Sequence, residues 1–573
     1  MTEVLRVGNC SGFYGDRLSA MRELLEGGDL DVVTGDYLAE LTMLILGKDQ
    51  LKDPSLGYAR TFVSQVSDCL ALALEKGVRI IANAGGLNPV GLVEKLREIA
   101  AEQGLSPQIA WVDGDNLASR ADELGLAGAL TANAYLGAFG IARALEAGAD
   151  IVVTGRVTDA SVVVGPAIWR FGWSPGQYDE LAGAVVAGHV IECGTQATGG
   201  NFSGFLDLPR DGQPLGFPVA EIAADGSSVI TKHEGTGGRV SVDTVTAQLM
   251  YEVQSTRYLG PDVTVDLTTI ELTPDGDDRV RVSGVRGLAP PPQLKVCVNE
   301  LGGFRNQMEF VLTGLDIEEK AAWLRAQLDG RISATSVTWS MGRPPAPDSE
   351  TEEGASTLLR CVVKDPDAKV VGKPFTAAAV ELALASYPGF TLTAPPGAAS
   401  PYGIYRPAYV DRDAVRHTVH LPEGSTEVVA DPDVAEPADP GTKYEPATTD
   451  TIPGVPDQAI TRRVPLGTFV HARSGDKGGD ANVGLWVGEG DRRDAQSQWL
   501  RQFVTIDRVR GLLPESEDLE VEVFELPNLH GVNVLVHGLL GEGVAASTRF
   551  DPQAKALGEW LRSRLVSIPE ELL

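Results

Sequence analysis

The chain has 573 residues, more than one ordinary hydrophobic core accommodates, so two or three folding units are expected. With 43 % apolar and 22 % charged residues the composition is that of a globular protein. Its 79 Asp and Glu against 48 Lys and Arg leave a formal net charge of −31, a field that repels phosphate backbones and argues against a nucleic-acid partner. No apolar run reaches the roughly 18 residues of a membrane span, the amino terminus lacks a secretory leader pattern, and five scattered cysteines without a C-x-x-C pair suit reduced thiols; a soluble, cytoplasmic protein with no membrane partner is expected.

Through the first two hundred residues short apolar runs alternate with helical patterns. Val4–Val7, Asp31–Thr34, Val78–Ala82, Ile109–Val112 and Asp150–Thr154 read as strands, each followed by a polar loop and, for all but Ile109–Val112, a helix; Asn88 reads as an N-cap with Pro89 as the first helical residue. This order predicts right-handed crossovers and a parallel, Rossmann-like, doubly wound α/β sheet. Its polar loops then share the carboxyl edge, where such sheets bind ligands. Asp36 and Glu40, four apart, are expected on one helix face, as a carboxylate pair or as a helix-start charge beside a solvated one.

From about residue 200 the pattern changes. Alternating β-branched residues at Val240–Val245 and Val280–Val285, with helical patterns at Glu318–Leu328 and Thr376–Ala385, suggest a mixed second lobe over about 201–421. Residues 422–462 are acidic and proline-rich and read as a linker or wrapping arm. Residues 463–573 read strand, strand, helix, short helix, strand, strand, helix, which suits a ferredoxin-like α+β unit with a split βαβ.

Phosphate-loop, dinucleotide, nucleophile-elbow and H-E-x-x-H signatures are absent. His417 and His420, three apart in a strand, face opposite sides, and no metal site or cofactor is expected, beyond a coenzyme A moiety carried by a substrate. Three polar, glycine-rich clusters remain. After the fifth strand, Arg156, Thr158 and Asp159 can hold an anion at a helix start, with Thr158 or Asp159 as a plain cap the alternative. Lys232, His233, Gly237, Gly238 and Arg239 offer positive charge and close backbone approach, or only a turn. The densest block, residues 471–482, places His471, Arg473, Ser474, Asp476, Lys477 and Asn482 around glycines and reads as an anion nest with His471 as proton carrier and Asp476 as its orienting partner. Cys193 reads as a buried thiol more readily than as a nucleophile.

Asp36-Tyr-Leu-Ala-Glu-Leu41, Gly155-Arg-Val-Thr-Asp159, His233-x-Gly-Thr-Gly-Gly238 and Ala472-Arg-Ser-Gly-Asp-Lys-Gly478, in this order, resemble the acyclic terpene utilisation protein A (AtuA) family over nearly the whole chain; Glu234 stands where its relatives would carry Pro. The resemblance implies a core domain over 1–421, a ferredoxin-fold domain over 463–573, and a place in branched or terpenoid acyl breakdown beside acyl-CoA carboxylases and enoyl-CoA hydratases. The expectation is an enzyme acting on an acyl-CoA or related carboxylate by hydration, dehydration or lyase chemistry. His471 or His233 would move the proton, Asp159 or Asp476 would orient it, and Arg156, Arg239, Arg473 and Lys477 would hold the anion. A homo-oligomer is expected. A non-catalytic partner of an acyl-CoA carboxylase, or an acyl hydrolase or transferase using Cys193 or Ser474, are the alternatives.

Overall fold

The computed structural model describes residues 4–435, 454–456 and 459–573. The chain forms two compact units, one of Met1–Asn299, Tyr405–Val544 and Gln553–Leu573, the other of Glu300–Ile404 with Ala545–Pro552.

In the first unit the expected strands form: β1 (Val4–Asn9), β2 (Val32–Gly35), β3 (Arg79–Ala82), β4 (Ile109–Asp113) and, past β5 (Ala129–Ala134), β6 (Ile151–Thr154). Five of these pair in parallel in the order β1, β2, β3, β6, β4. Alternation along each strand feeds two apolar layers. Helices α1 (Ala20–Gly27), α3 (Arg60–Lys76) and α4 (Pro89–Glu102) pack on one face through Leu24, Phe62, Val66 and Leu92. On the other, α5 (Phe139–Glu146), α6 (Ser161–Phe171) and α7 (Tyr178–Ile191) pack through Ile141, Val163 and Leu181. Asn88 caps α4, its side chain accepting from Gly91 N at 2.9 Å ahead of Pro89. Helix α2 (Glu40–Lys52) begins only at Glu40, so Asp36 lies in the loop before it and the two carboxylates do not share a helix face.

The sheet as a whole is mixed, which corrects the all-parallel expectation. On one side β7 (Pro218–Ala223) pairs antiparallel with β1, and β8 (Ser228–Lys232), Val280–Ser283 and Glu271–Pro274 follow. Thr418–His420 and Thr426–Val428 extend the other edge. Hairpin connections add strands to an existing edge without a crossover helix, so chain beyond residue 200 joins the first sheet. The strand expected over Val240–Val245 gives way to helix α8 (Val242–Leu249): Ser241 Oγ accepts from Thr244 N at 3.2 Å while Thr244 Oγ1 accepts from Ser241 N at 2.9 Å, and this capping box overrides β-branched propensity. Of the acidic segment 422–462, residues 436–453 and 457–458 lie outside the described residues.

The carboxyl-terminal part of this unit carries a four-stranded antiparallel sheet in the order Val470–Lys477, Asp480–Val487, Gly531–Val536, Val521–Leu526. The second and fourth of these are parallel to each other, joined through helices Arg493–Phe503 and Ile506–Leu512, with the third inserted between them: a split βαβ. The remaining edge strand precedes the unit in sequence. Residues 471–482 are therefore two paired strands, and only Gly478-Gly479 between Lys477 and Asp480 is loop; a φ of +68° at Gly478 is what a two-residue II′ hairpin needs at its first position.

The second unit packs Ser336–Met341, Ser356–Asp365, the distal part of Gln293–Thr313 and Thr391–Leu392 as an antiparallel sheet against helix Ile317–Leu328, around Phe310, Leu324, Leu359 and Phe375.

Candidate active site

The loops leaving the carboxyl ends of β2, β3, β4 and β6 bring the first polar groups together. After β6, Arg156 is buried (2 % exposed). Its Nη1 donates to Leu38 O at 3.0 Å and pairs with Asp159 Oδ1 at 2.6 Å, and its guanidinium lies 4.3 Å over the Tyr135 ring. Asp115, from the β4 loop, accepts from Arg156 N at 2.8 Å and from Asn133 Nδ2 at 2.7 Å, fixing that loop, and burial still pushes its carboxyl up to about 6. Asp36, from the β2 loop, accepts from Asn83; burial and Asp159 hold its pKa well above the carboxylate range, against the pull of Arg156.

Glu40, at the first turn of α2, accepts from Tyr135 Oη at 2.9 Å and lies 3.9 Å from Lys295 Nζ. Burial opposes its charge, but Lys295, Lys477 and Arg156 outweigh it and bring the carboxyl down to about 2. Glu192 closes α7. One of its oxygens meets His189 Nδ1 at 3.1 Å, and the other is buried with no partner. Burial, Asp159 and Glu252 keep the Glu192 carboxyl well above its usual range, while burial and Lys477 lower His189 to about 4.

The carboxyl-terminal sheet completes this cluster. Along Val470–Lys477, alternate residues turn to the amino-terminal domain: His471 to Ser203, Arg473 to Tyr251, Gly475 to the same ring, Lys477 to Glu252. A Cβ at Gly475 would meet the Tyr251 ring at 2.2 Å, so glycine here permits contact rather than a turn. Lys477 Nζ lies 3.6 Å from Glu252 Oε2. Burial works against its charge, but Glu252, Tyr258, Glu40 and Asp159 together raise it above the usual lysine range. Burial with Glu252 and Glu40 pushes the Asp476 carboxyl up to about 8. Glu252 itself has φ +58°, a conformation L-residues seldom adopt, and Asn482 Oδ1 accepts its N–H at 2.8 Å. Glu40, Asp159, Glu252, Lys295 and Lys477 each keep between 18 and 28 % of the side chain accessible while lying deep in this unit, so together they line a recess.

Arg156, Asp159 and Lys477 of the sequence candidates thus meet at one place, with Asp476 on the other face of its strand but within electrostatic reach of Glu252 and Glu40, and Thr158, its hydroxyl on Ser161 Oγ, sits in the loop of Arg156 and Asp159. Others lie apart. His471, six residues along the strand from Lys477 and so about 20 Å away, bonds Ser203 Oγ through Nδ1 at 3.1 Å and stacks between Phe202 and Trp486. Its pKa is lowered by burial, and it borders an open cleft of about 410 Å³ with Phe469, Gly488 and Arg492. His233 packs on Gly27 and Gly28, and its Nε2 meets Leu24 O, a terminal carbonyl of α1, at 3.1 Å. Lys232 pairs with Asp278, Gly237 and Gly238 pack on Pro214 O and Thr198 O, and the Arg239 side chain is exposed. Ser474 Oγ donates to Ala554 O at 2.7 Å and accepts from Gly558 N at 2.8 Å, and burial holds the Cys193 thiol well above its usual range, so neither is set up as a nucleophile. Among the described residues no three His, Cys, Asp or Glu side chains converge to hold a metal, and no helix is long and apolar enough to cross a membrane.

Glu192, Glu252, Lys295, Tyr258 and Tyr405 were not legible as site residues. Each is a single residue from a different segment, and only Glu192 neighbours a polar, glycine-rich stretch that marks it out. Residues 5–421 match the family model described as acyclic terpene utilisation family protein AtuA, and residues 464–567 match the AtuA ferredoxin-like domain. No curated protein matches the chain.

Proposed function

Since the chain belongs to the acyclic terpene utilisation AtuA family, we propose that it is an enzyme of branched or terpenoid acyl breakdown that adds or removes water, or cleaves a carbon–carbon bond, by acid–base catalysis in the recess. The observation that carries this reading is the setting of Glu40, bonded by Tyr135 Oη at 2.9 Å and 3.9 Å from Lys295 Nζ, which supports a charged carboxylate there, while Asp476, within electrostatic reach of it, is pushed up to about 8. Two acids so separated can serve as base and acid at the same pH.

In the dehydration direction, Glu40 takes the proton from the carbon next to the acyl carbonyl. Lys477 stabilises the negative charge that then develops on the carbonyl oxygen, with the buried Arg156 adding its charge from behind. Asp476 gives its proton to the departing hydroxyl, which leaves as water, and a carbon–carbon double bond remains. Hydration runs the same steps backwards.

The test is turnover of a panel of branched 3-hydroxyacyl and 2-enoyl thioesters and their free acids, scored by gain or loss of water in the product mass. Glu40→Gln and Asp476→Asn should each lower the rate by about 10²–10⁴. In the wild type the rate should fall as pH rises through about 8, where Asp476 loses its proton. Full turnover by both variants on a substrate the wild type converts would overturn the reading.

A further inference from the structure

Two lysines enter the recess, and their surroundings separate them. Lys477 is held as a cation by Glu252, Tyr258, Glu40 and Asp159. Lys295 lies on the strand Gln293–Thr313, placed by the bond from Tyr135 N to its carbonyl at 2.9 Å. Its Nζ is 5.0 Å from the Tyr135 ring centre, 5.9 Å from that of Tyr405 and 3.9 Å from Glu40 Oε1, and 26 % of the side chain is accessible. The groups facing it are Glu40 from α2, Tyr135 after β5, Arg156 after β6, Cys297 on its own strand, Tyr405 on Ser400–Asp411 and Lys477 from the hairpin. Burial lowers its proton affinity, with Lys477 and Arg156 adding to the effect and Glu40 and Cys297 opposing it. The Tyr405 hydroxyl is buried with no partner, and the Tyr135 hydroxyl already donates to Glu40. An amine of this kind, between a free phenol and a carboxylate and beside a fixed second cation, has what covalent catalysis on a carbonyl needs.

We propose that Lys295 condenses with a ketone or aldehyde carbonyl of the substrate, whose anionic end Lys477 holds, so that the ligand class is an oxo acid or oxoacyl derivative. The proposal rests on the recess being the substrate site. In the molecules where Lys295 has given up its proton, its Nζ bonds to the carbonyl carbon, and the carbonyl oxygen leaves as water with the two amine hydrogens, relayed by Tyr405 and Glu40. Once protonated, the carbon–nitrogen double bond draws in the electron pair of a C–C or C–H bond one carbon away, the cleaved group leaving without those electrons. The carbon left with that pair takes up a proton, which regenerates the protonated carbon–nitrogen double bond, and water then adds to it to restore amine and carbonyl. No oxidant or reductant enters.

The probe is 2,4-pentanedione, a diketone that condenses with unprotonated amines to a near-ultraviolet-absorbing adduct, applied to the intact chain with peptide mass mapping. One adduct per chain should form first at Lys295, ahead of exposed lysines such as Lys52 and Lys373, and its rate should level off at a lower pH than theirs. Lys295→Ala should lose that adduct. Adducts that follow exposure, with Lys295 unlabelled or labelled last in the wild type, would overturn the proposal. An unlabelled Lys295 with turnover lost in Asp476→Asn removes only this inference. A labelled Lys295 with turnover intact in Asp476→Asn removes only the acid–base assignment.

Discussion

Asn482 is fully buried and makes three bonds, two of which join the two family domains: its Nδ2 to Met250 O at 2.9 Å and Glu252 N to its Oδ1 at 2.8 Å, with its Nδ2 also to Asn533 Oδ1 at 2.7 Å in its own domain. Asn482→Ala leaves a buried carbonyl, amide N–H and side-chain oxygen without partners. At about 1–3 kcal/mol for each such group, and with less than full additivity among neighbours, the loss is about 3–6 kcal/mol. Against this, Glu252 is freed from its left-handed conformation, a relief of about 1 kcal/mol. The expected net destabilisation is about 2–5 kcal/mol, read as a lower urea midpoint, with faster hydrogen exchange at the amides of 250–253. Because Glu252 would swing away from Lys477, the variant should also lose turnover beyond what its folded fraction explains. An unchanged midpoint together with unchanged exchange at Glu252 would refute the claim that the carboxyl-terminal domain shapes the site through Asn482.

The recess also sets two opposite pH dependences of stability. Glu40 has a folded pKa of about 2 against an ordinary 4.5, so its contribution is present above 4.5 and lost as pH falls through 2; the wild type's advantage over Glu40→Gln should shrink in that window. Asp476 has a folded pKa of about 8 against 3.8, so its contribution is full below 3.8 and lost as pH rises through 8. Asp476→Asn should therefore gain on the wild type between those values, and urea midpoints with the same slope for both variants would contradict the assignment. His233→Ala, which removes a hydrogen bond to the end of α1, should cost about 1 kcal/mol in the same measurement and leave turnover unchanged.

The sequence carried the framework of the amino-terminal domain well, because the β-strand and helix periods alternate cleanly and Asn88-Pro89 marks a helix start by direct chemistry. It also placed Arg156 and Asp159 in a loop at a strand end, as the fold has them, whereas the Asp476-Lys477 pair, expected in a turn, lies in a strand. It misled where glycine served packing. The glycines of 471–482 suggest a turn, yet Gly475 admits the Tyr251 ring and only Gly478 bends the chain. It was silent on Glu252, Lys295 and Tyr405, since the sheet's antiparallel additions and the sheet after residue 470 bring them together from segments far apart. His233 and His471 looked catalytic because imidazole titrates near neutrality. In the fold one imidazole closes a helix end and the other is wedged between Phe202 and Trp486.

The most direct measurement is a crystal structure of the full chain with a branched 3-hydroxyacyl or 3-oxoacyl ligand bound. The recess account predicts ligand density within hydrogen-bond reach of Lys477, with the reacting carbons facing Glu40 and Asp476. Density confined to the open cleft beside His471, with the recess filled only by water, would contradict it.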